Sequence, residues 1–243
     1  CSSDLQAIYI TFAGSKKTTE NKVVNCQFEK LGFLFDSLKE NGIRRVVMAG
    51  SISRPQFDQS KLDQYTLSIM PKLSAKLVQG DNELLSFIAE EFEKKGFQII
   101  GASEILPDLL LKPGIVVGSP YEFITRDIEK ADNILKILSP EDIGQGVVVE
   151  NGLVLGIETL QGTTELLQFV IMTSSHLRKD DSGGIFVKRP KSNQNLRFDM
   201  PVVGPETIEL ACKAGLRGLV VSPQSVIVLD REKCIQIAEA NNF

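Results

Sequence analysis

The chain has no tryptophan and only one histidine among its 243 residues. A Ser-His-Asp triad, and most histidine-based metal sites, would have to use that single residue, His176. It lies in the polar stretch "MTSSHLRKD" at the end of a predicted helix, where we expect a surface position. Catalysis, if present, must then rest on carboxylates, lysines and arginines, with or without a metal held by oxygen atoms.

Cysteines are few, and they are far apart. The four are Cys1, Cys26, Cys212 and Cys234, and no pair has the spacing of metal ligands. This argues against a zinc site. We expect reduced thiols in a cytoplasmic protein.

Long apolar runs and an excess of positive charge are also absent. Runs such as "GLVLGI" fall far short of the ~20 residues that a membrane span needs, and no signal-peptide pattern opens the sequence. The formal net charge of −4 argues against a general nucleic-acid-binding protein. A local basic pocket remains compatible with that charge.

What the first half does contain is an alternation of strand and helix patterns. We predict strands at 7–13, 44–50 and 97–102 and helices at 28–42 and 82–96, as judged from apolar spacing and terminal glycines. Strands separated by helices predict βαβ units. The fold class is therefore α/β, with a Rossmann-like, parallel, three-layer domain over 1–115.

The second half has a different pattern. After a candidate linker at 112–120, rich in proline and glycine, a long helix is predicted at 122–139. Two strands at 145–158 are joined by Glu150-Asn151-Gly152, a strong hairpin signal. Further strands at 184–188 and 217–230 and a helix at 204–215 predict a second, mixed α/β domain over 116–243.

The stretch "AGSISRPQF", residues 49–57, directly follows the apolar strand residues 44–48. Ligands of parallel sheets bind outside the carboxyl ends of strands. Gly50 allows a close turn, Ser53 offers a hydroxyl, and Arg54 offers a planar cation suited to phosphate. A plain loop with a solvated arginine explains the same residues equally well.

A second group of candidates surrounds the predicted hairpin. Gly144 and Gly146 flank Gln145, so the backbone there can approach a ligand and the amide can point at it. Glu158 ends a strand, and Thr163 either caps the following helix or contacts a phosphate. A hairpin followed by a helix cap is the alternative explanation.

The third group is the stretch "KRPKSNQNLRFDMP", residues 188–201, in which bases and amides crowd between apolar segments. The bases Lys188, Arg189, Lys191 and Arg197 can neutralise a diphosphate. Gln194 and Asn195 can hydrogen-bond to a sugar or base. Asp199, a carboxylate among cations, stays ionised and can bind a divalent metal or orient water. A solvated charged loop is the alternative.

Four stretches in order resemble one family: "AGSISRP", "GDNELL…FEKKGFQIIGASEIL", "DIGQGVVV…GLVLGIE…QGTTELL" and "GGIFVKRPK…RFDMPVVGPETIELACKAGLRGLVV". They are similar to the metal-dependent UDP-2,3-diacylglucosamine diphosphatases of lipid A biosynthesis, the LpxI type, and cover nearly the whole chain. Two departures stand out. The family's opening strand and glycine-rich turn are not found in this sequence, and Thr164 stands where the family usually has aspartate.

The resemblance implies hydrolysis of UDP-2,3-diacylglucosamine to UMP and 2,3-diacylglucosamine 1-phosphate (lipid X) with Mg²⁺. Its motif makes Asp199 the expected catalytic residue. We expect metal ligands among Asp199, Glu158 and Asp142. The expected substrate contacts are Gly50, Ser53, Arg54, Gln145, Thr163, Lys188, Gln194 and Arg197.

A protein of another class, a non-catalytic UDP-sugar or lipid-binding module, would show the same sequence pattern without metal-dependent turnover. We expect a cytoplasmic protein without nucleic-acid partners. The sequence leaves open whether it contacts the inner membrane peripherally and whether it forms a homodimer.

Overall fold

The computed structural model describes residues 7–12, 22–50, 57–79, 81–120, 124–173, 175–178 and 183–243. The chain divides into two compact units, Cys1–Ile100 and Gly101–Phe243. This division falls earlier in the chain than the domain boundary after residue 115 that the sequence predicts. That boundary stays a prediction. Both units combine helices and strands, so the predicted two-domain α/β class is confirmed.

The first unit pairs its described strands in parallel. The strands are β1 (Tyr9–Phe12), β2 (Val23–Cys26), β3 (Arg45–Val46) and β4 (Gln98–Ile99), and the helices are α1 (Leu31–Glu40), α2 (Gln64–Leu77) and α3 (Asp81–Lys94). β1 pairs with β2, and β3 pairs with β4, as two separate parallel pairs. Parallel pairing agrees with the prediction, whereas the Rossmann-like arrangement stays a prediction.

An aromatic cluster forms part of the core of this unit. The buried ring of Phe35 on α1 contacts the rings of Tyr65, Phe92 and Phe97, with centroids 5.0–6.0 Å apart. Residues of three helices and the residue before β4 thus meet at the Phe35 ring. Aromatic pairs at such separations add stability beyond the area they bury.

One carboxylate caps two helices in the first unit. Asp63 accepts hydrogen bonds from the backbone N–H of Thr66 on α2 at 2.7 Å and of Phe33 on α1 at 3.1 Å. The buried hydroxyl of Thr66 in turn accepts from the N–H of Leu31 at 2.9 Å. The first turn of a helix has N–H groups without intrahelical partners. Asp63 and Thr66 therefore join the starts of α1 and α2.

The second unit is built around a mixed sheet. Its elements are α4 (Ala102–Ile105), α5 (Ile124–Leu138), β5 (Gly146–Glu150), β6 (Leu153–Ile157), α6 (Gly162–Met172), β7 (Ile185–Lys188), β8 (Val202–Val203), α7 (Pro205–Lys213), β9 (Gly218–Val221), β10 (Ile227–Val228) and α8 (Arg231–Ala240). The main sheet has the order β6-β5-β7-β9. β5 is antiparallel to both of its neighbours, and β7 is parallel to β9.

Helices cover both faces of this sheet. Val147 and Val187 pack with α5 on one face, whereas Val148 and Phe186 pack with α6 and α7 on the other. Alternate side chains of one strand therefore reach different helices. β9 and β10, on either side of Ser222-Pro223, belong to different sheets, because β10 pairs with β8.

The predicted hairpin of β5 and β6 is confirmed. Asn151 and Gly152 both have positive φ angles, 47° and 77°, as a two-residue primed turn requires. Asp127 of α5 is fully buried and accepts from the N–H groups of Asn151 and Gly152 at 3.0 and 2.7 Å. A carboxylate of the helix thus fixes the turn of the hairpin that follows it.

The expected surface position of His176 is confirmed: it is exposed, in a short 3-10 turn after α6. Cys26, Cys212 and Cys234 carry free thiols and Cys1 lies outside the described residues, so the reduced state of all four cysteines stays a prediction. None of the helices within the described ranges has the length and hydropathy of a bilayer-spanning segment.

Candidate functional site

One edge of the main sheet gathers several of the sequence-predicted residues. β6 and β7 run parallel to each other because both are antiparallel to β5, which lies between them. Glu158 follows β6, Lys188 ends β7, and Gln145 precedes β5. The carboxyl ends of parallel strands are the usual location of ligand sites in open sheets.

Lys188, Glu158 and Thr163 form a buried cluster at this edge. The Lys188 ammonium donates to Glu158 Oε1 at 3.0 Å, to Glu158 Oε2 at 2.9 Å and to Thr163 Oγ1 at 2.5 Å. Lys188 is 3% exposed and Glu158 is 7% exposed. A charge at such burial needs a partner, and an ammonium has three protons to donate. All three protons of Lys188 have acceptors within the protein.

Glycines at the start of β5 make room for this cluster. A Cβ on Gly146 would lie 2.5 Å from Glu158 Oε2, and one on Gly144 would lie 2.5 Å from the Glu158 carbonyl oxygen. Both distances are far below van der Waals contact. The glycines on either side of Gln145 therefore serve the packing of Glu158.

Arg189, the next residue, points to the opposite face. Its guanidinium binds Asp132 of α5 through two hydrogen bonds, Nε to Oδ1 at 2.9 Å and Nη2 to Oδ2 at 3.3 Å. Its backbone N–H donates to the carbonyl of Gln145 at 2.8 Å. Neighbouring cations of the basic stretch are thus separated by the plane of the sheet.

Lys191 lies in the loop that follows β7, outside the sheet. Its ammonium lies 2.5 Å from Asp142 Oδ1, and its N–H donates to Gln194 Oε1 at 2.9 Å. Asp142 adopts a left-handed conformation with a φ of 59° at the end of a 3-10 turn. Gln194 therefore shapes the loop that holds Lys191.

Arg197 and Asp199 lie on one turn, anchored by the buried ring of Phe198 between them. The N–H groups of Phe198 and Asp199 both donate to the carbonyl of Asn195, at 3.2 and 3.0 Å. Arg197 is exposed and Asp199 is half-buried. The turn presents a cation and a carboxylate two residues apart.

A cavity of about 490 Å³ opens on the α5 side of the same edge. Arg189 and Lys191 contribute to its wall, and α5 contributes Lys136. The other lining residues are Asp132, Leu135, Ser139, Gly144, Pro190, Ser192, Ser222 and Pro223. Its charged lining residues are three cations and one carboxylate, so the charged part of the lining suits an anionic group.

Two predicted substrate contacts, Ser53 and Arg54, lie outside the described residues. Gly50, just before them, has a φ of 93°, which favours glycine and fits the predicted close turn. Thr164 lies half-buried in the first turn of α6.

The residues present can be compared with the needs of magnesium, which prefers oxygen ligands and is commonly held by one or two carboxylates together with substrate phosphates. Within the described part of the chain, no three acidic, histidine or cysteine side chains converge. Glu158 and Asp142 each bind a lysine ammonium. Asp199 stays a predicted ligand of such a site.

Sequence reasoning missed several polar partners of this edge. Asp132, which binds Arg189, falls within a helix whose pattern shows only that it is amphipathic. Ser139 was also missed: its hydroxyl accepts from the N–H of Ser192 at 2.6 Å and so holds the basic loop against α5. Both contacts join residues more than fifty positions apart, and no local pattern identifies such pairs.

Fold and site together define a two-unit α/β protein with a cavity at the carboxyl edge of a mixed sheet, whose charged lining residues are mostly cations. Residues 3–109 match the LpxI N-terminal domain, and residues 113–243 match the LpxI C-terminal domain. The chain is also 36% identical over 213 residues to UDP-2,3-diacylglucosamine pyrophosphatase LpxI of Caulobacter vibrioides, covering 86% of this chain and 76% of that protein. The chain belongs to the LpxI family.

Proposed function

We propose that this protein hydrolyses the diphosphate of UDP-2,3-diacylglucosamine to UMP and 2,3-diacylglucosamine 1-phosphate. The observation that carries the proposal is the similarity along both units to the LpxI domains and to a relative with that pyrophosphatase name. Water adds to a phosphorus atom, the bridging P–O bond breaks, and the bridging oxygen leaves with the other phosphate.

The cations of the basic stretch have different roles in this proposal. Arg197 is exposed and carries a planar guanidinium that matches phosphate oxygens, so it contacts the diphosphate directly. Arg189 and Lys191, which line the cavity, add positive potential while Asp132 and Asp142 hold their positions. Hydrolysis of a diphosphate depends largely on this kind of positioning and charge neutralisation.

Lys188 acts from within the protein. Because its three protons are taken by Glu158 and Thr163, it fixes the first turn of α6 against the end of β6. In this proposal Glu158 is the counter-ion of Lys188. Thr163 is held in place by both and presents the start of α6 to the substrate.

Asp199 is the proposed catalytic carboxylate. It orients the attacking water, and its place two residues from Arg197 brings it to the same phosphate. Mg²⁺, held by Asp199 and diphosphate oxygens, would neutralise charge and polarise the phosphorus centre.

The deciding experiment incubates the protein with UDP-2,3-diacylglucosamine and measures UMP, with and without a chelator of divalent metal. We expect UMP release that stops in chelator and returns when Mg²⁺ is added in excess. Equal release in excess chelator would reject the metal role alone. Substrate binding without release under any metal would favour a UDP-sugar-binding module instead.

A further inference from the structure

The cavity on the α5 side of the sheet edge carries an excess of positive charge. Its volume of about 490 Å³ is typical of a site for a small molecule. Its wall contains one carboxylate, Asp132, and three cations, Lys136, Arg189 and Lys191. Asp142 binds Lys191, and the cations still outnumber the carboxylates when Asp142 is included. The cavity therefore favours a negatively charged ligand.

Arg189 has part of its guanidinium left for a ligand of this cavity. Its Nε and Nη2 donate to the two carboxylate oxygens of Asp132 at 2.9 and 3.3 Å. Nη1 carries two further protons, and it has no acceptor among the described residues. The side chain is 21% exposed, so water reaches it only in part. Asp132 therefore fixes the guanidinium while Nη1 is available to donate to an oxyanion.

The two lysines of the cavity also have protons to spare. The Lys191 ammonium lies 2.5 Å from Asp142 Oδ1 and 3.4 Å from the Asp142 carbonyl oxygen. These contacts leave at least one of its three protons without an acceptor. Lys136, in the last turn of α5, has no ion-pair or hydrogen-bond partner in the part of the chain that the structure describes. Both ammonium groups are therefore available to the oxygen atoms of a ligand.

Hydroxyl groups complete a lining in which donors exceed unoccupied acceptors. The Ser192 hydroxyl accepts from Ser139 Oγ at 2.9 Å, so its own proton remains available. Within the described ranges, the Ser222 hydroxyl has no hydrogen-bond partner. Both oxygens of Asp132, the carboxylate of the lining, already accept from Arg189. A ligand rich in acceptor oxygens would satisfy such a lining.

We infer that this cavity binds a phosphate monoester, with the phosphate group among Lys136, Arg189 and Lys191. A phosphate monoester carries a charge of about −1.5 to −2 at pH 7 and three strong acceptor oxygens. The cavity has the size of a small-molecule site rather than of a single ion. Leu135 and Pro223 in its wall offer apolar contact to the organic part of the ester.

This site adds to the diphosphate contact proposed above, because the described lining residues do not include Arg197. The proposed reaction releases two phosphate monoesters, UMP and 2,3-diacylglucosamine 1-phosphate. The ligand is then a nucleotide or a sugar phosphate, and the phosphate group is what the cavity recognises in either. The inference does not rest on the proposed reaction, since binding can be measured without turnover.

The test is isothermal titration calorimetry of the protein with UMP, glucosamine 1-phosphate and inorganic phosphate. We expect at least one of the two esters to bind more tightly than inorganic phosphate. Arg189→Lys keeps a charge for Asp132 but removes Nη1, and Lys136→Gln removes a cation. Each change should raise the Kd of that ester about tenfold, the effect of losing one charge-assisted hydrogen bond. Lys213→Gln is the matched control, because Lys213 is exposed on α7, across the sheet from α5. It should bind like wild type.

Far-UV circular dichroism and thermal melts establish whether each variant is folded. If Arg189→Lys does not fold, the exposed Lys136 decides the test alone. The inference is overturned if wild type binds neither ester at millimolar concentration, or binds inorganic phosphate as tightly as both esters. Ester binding that is as tight in every folded cavity variant as in wild type would also overturn it. A loss in Arg197→Ala would then assign the ligand to the Arg197 turn. None of these outcomes depends on UMP release.

Discussion

Asp199 is the residue on which the proposed reaction depends most directly. Asp199→Asn keeps the shape of the side chain and removes its charge. We expect kcat to fall by about 10²–10⁴, the range for losing an acid–base or charge-stabilising group. Substrate affinity should be retained, because Arg197 and the other cations remain. The measurement is kcat and substrate affinity, with a thermal melt of the variant.

Asp108→Asn is the matched control for this change. Asp108 is exposed in the same unit, on a 3-10 turn remote in sequence from the basic stretch. Its variant should keep wild-type kinetics. If Asp199→Asn stays within a few-fold of wild-type kcat with an unchanged melt, another carboxylate performs the reaction, and the same substitution would next be made at Asp142.

Glu158 should matter for stability more than any other acidic residue of the site. Glu158→Gln leaves the Lys188 ammonium at 3% exposure without a counter-ion. Removing one partner of a buried ion pair costs about 3–5 kcal/mol. We expect a loss of that size in the free energy of unfolding, measured by denaturant titration.

The comparison for Glu158 is Asp132→Asn, which breaks the ion pair with Arg189. The Asp132 side chain is 43% exposed, and an ion pair of this kind contributes about 0–1 kcal/mol. The prediction for Glu158 is wrong if the two variants lose similar stability. Each variant breaks one ion pair, so the expected difference in lost stability comes from the burial of the pair.

The sequence indicated Lys188, Glu158 and Thr163 as individual candidates, but not their mutual contact. Glu158 had the pattern of a metal ligand, an acidic residue at the end of a strand. Its contact with Lys188 arises because β6 and β7 flank β5, an order that local patterns do not encode. The order of the strands in the sheet, rather than the local sequence, therefore brings Glu158 into contact with Lys188.

At the scale of elements, α2 is the longest helix that sequence reasoning missed. Pro71 lies inside it, and an internal proline normally ends or kinks a helix. Two signals were nevertheless present: Asp63 as an N-cap, and the buried Ile69 and Leu73 four residues apart. Packing of this face offsets the hydrogen bond that the proline removes.

The shared cap of α1 and α2 predicts a pH dependence of stability. Burial alone would raise the pKa of Asp63, but hydrogen bonds from Thr66, Phe33 and Gly32 outweigh it and hold the pKa below the ordinary value of 3.8. Because the folded pKa is the lower one, this stabilisation is present above the unfolded pKa and is lost as pH falls through the folded pKa.

We therefore expect the first unit to lose stability below about pH 4, the range in which an unperturbed Asp takes up its proton. Denaturant unfolding at a series of pH values should show a shallower acid decline for Asp63→Asn than for wild type. Asp36→Asn on α1 is the control, and it should decline like wild type. If the free energy of unfolding falls equally with pH in wild type and in Asp63→Asn, the Asp63 carboxylate does not contribute to the pH dependence of stability.

At the scale of the whole molecule, the second unit has apolar clusters on both faces of its own sheet. We expect a fragment of residues 101–243 to fold and melt cooperatively, as a domain with its own core does. It should not release UMP, because the proposed contacts Gly50, Ser53 and Arg54 are in the first unit. Calorimetry and the UMP assay check these two expectations.

Full-length protein is the reference for the fragment, in both assays. A fragment with full UMP release would remove the first unit from the proposed site. A fragment without a cooperative melt would instead show that the second unit depends on the first for its fold. The thermal melt of the fragment distinguishes these two outcomes.

Much of the overall fold could be predicted from the sequence, because the apolar periodicity of α3, α5 and the β5–β6 hairpin is strong. The short strands were harder. β3 and β4 are two residues long, although the apolar runs that contain them are longer. Residues 217–230 gave no sign that β9 and β10 enter different sheets, since strand partners are chosen by long-range packing.

The consecutive ion pairs at the end of β7 also fix how that strand aligns with its neighbours. Lys188 reaches Glu158 and α6 on one face, and Arg189 reaches Asp132 and α5 on the other. A slip of one residue would exchange the faces of all side chains in the strand. The larger guanidinium would then enter the space of the Lys188 ammonium, and Asp132 would lose its partner. A misaligned sheet would therefore lose these ion pairs as well as its apolar packing.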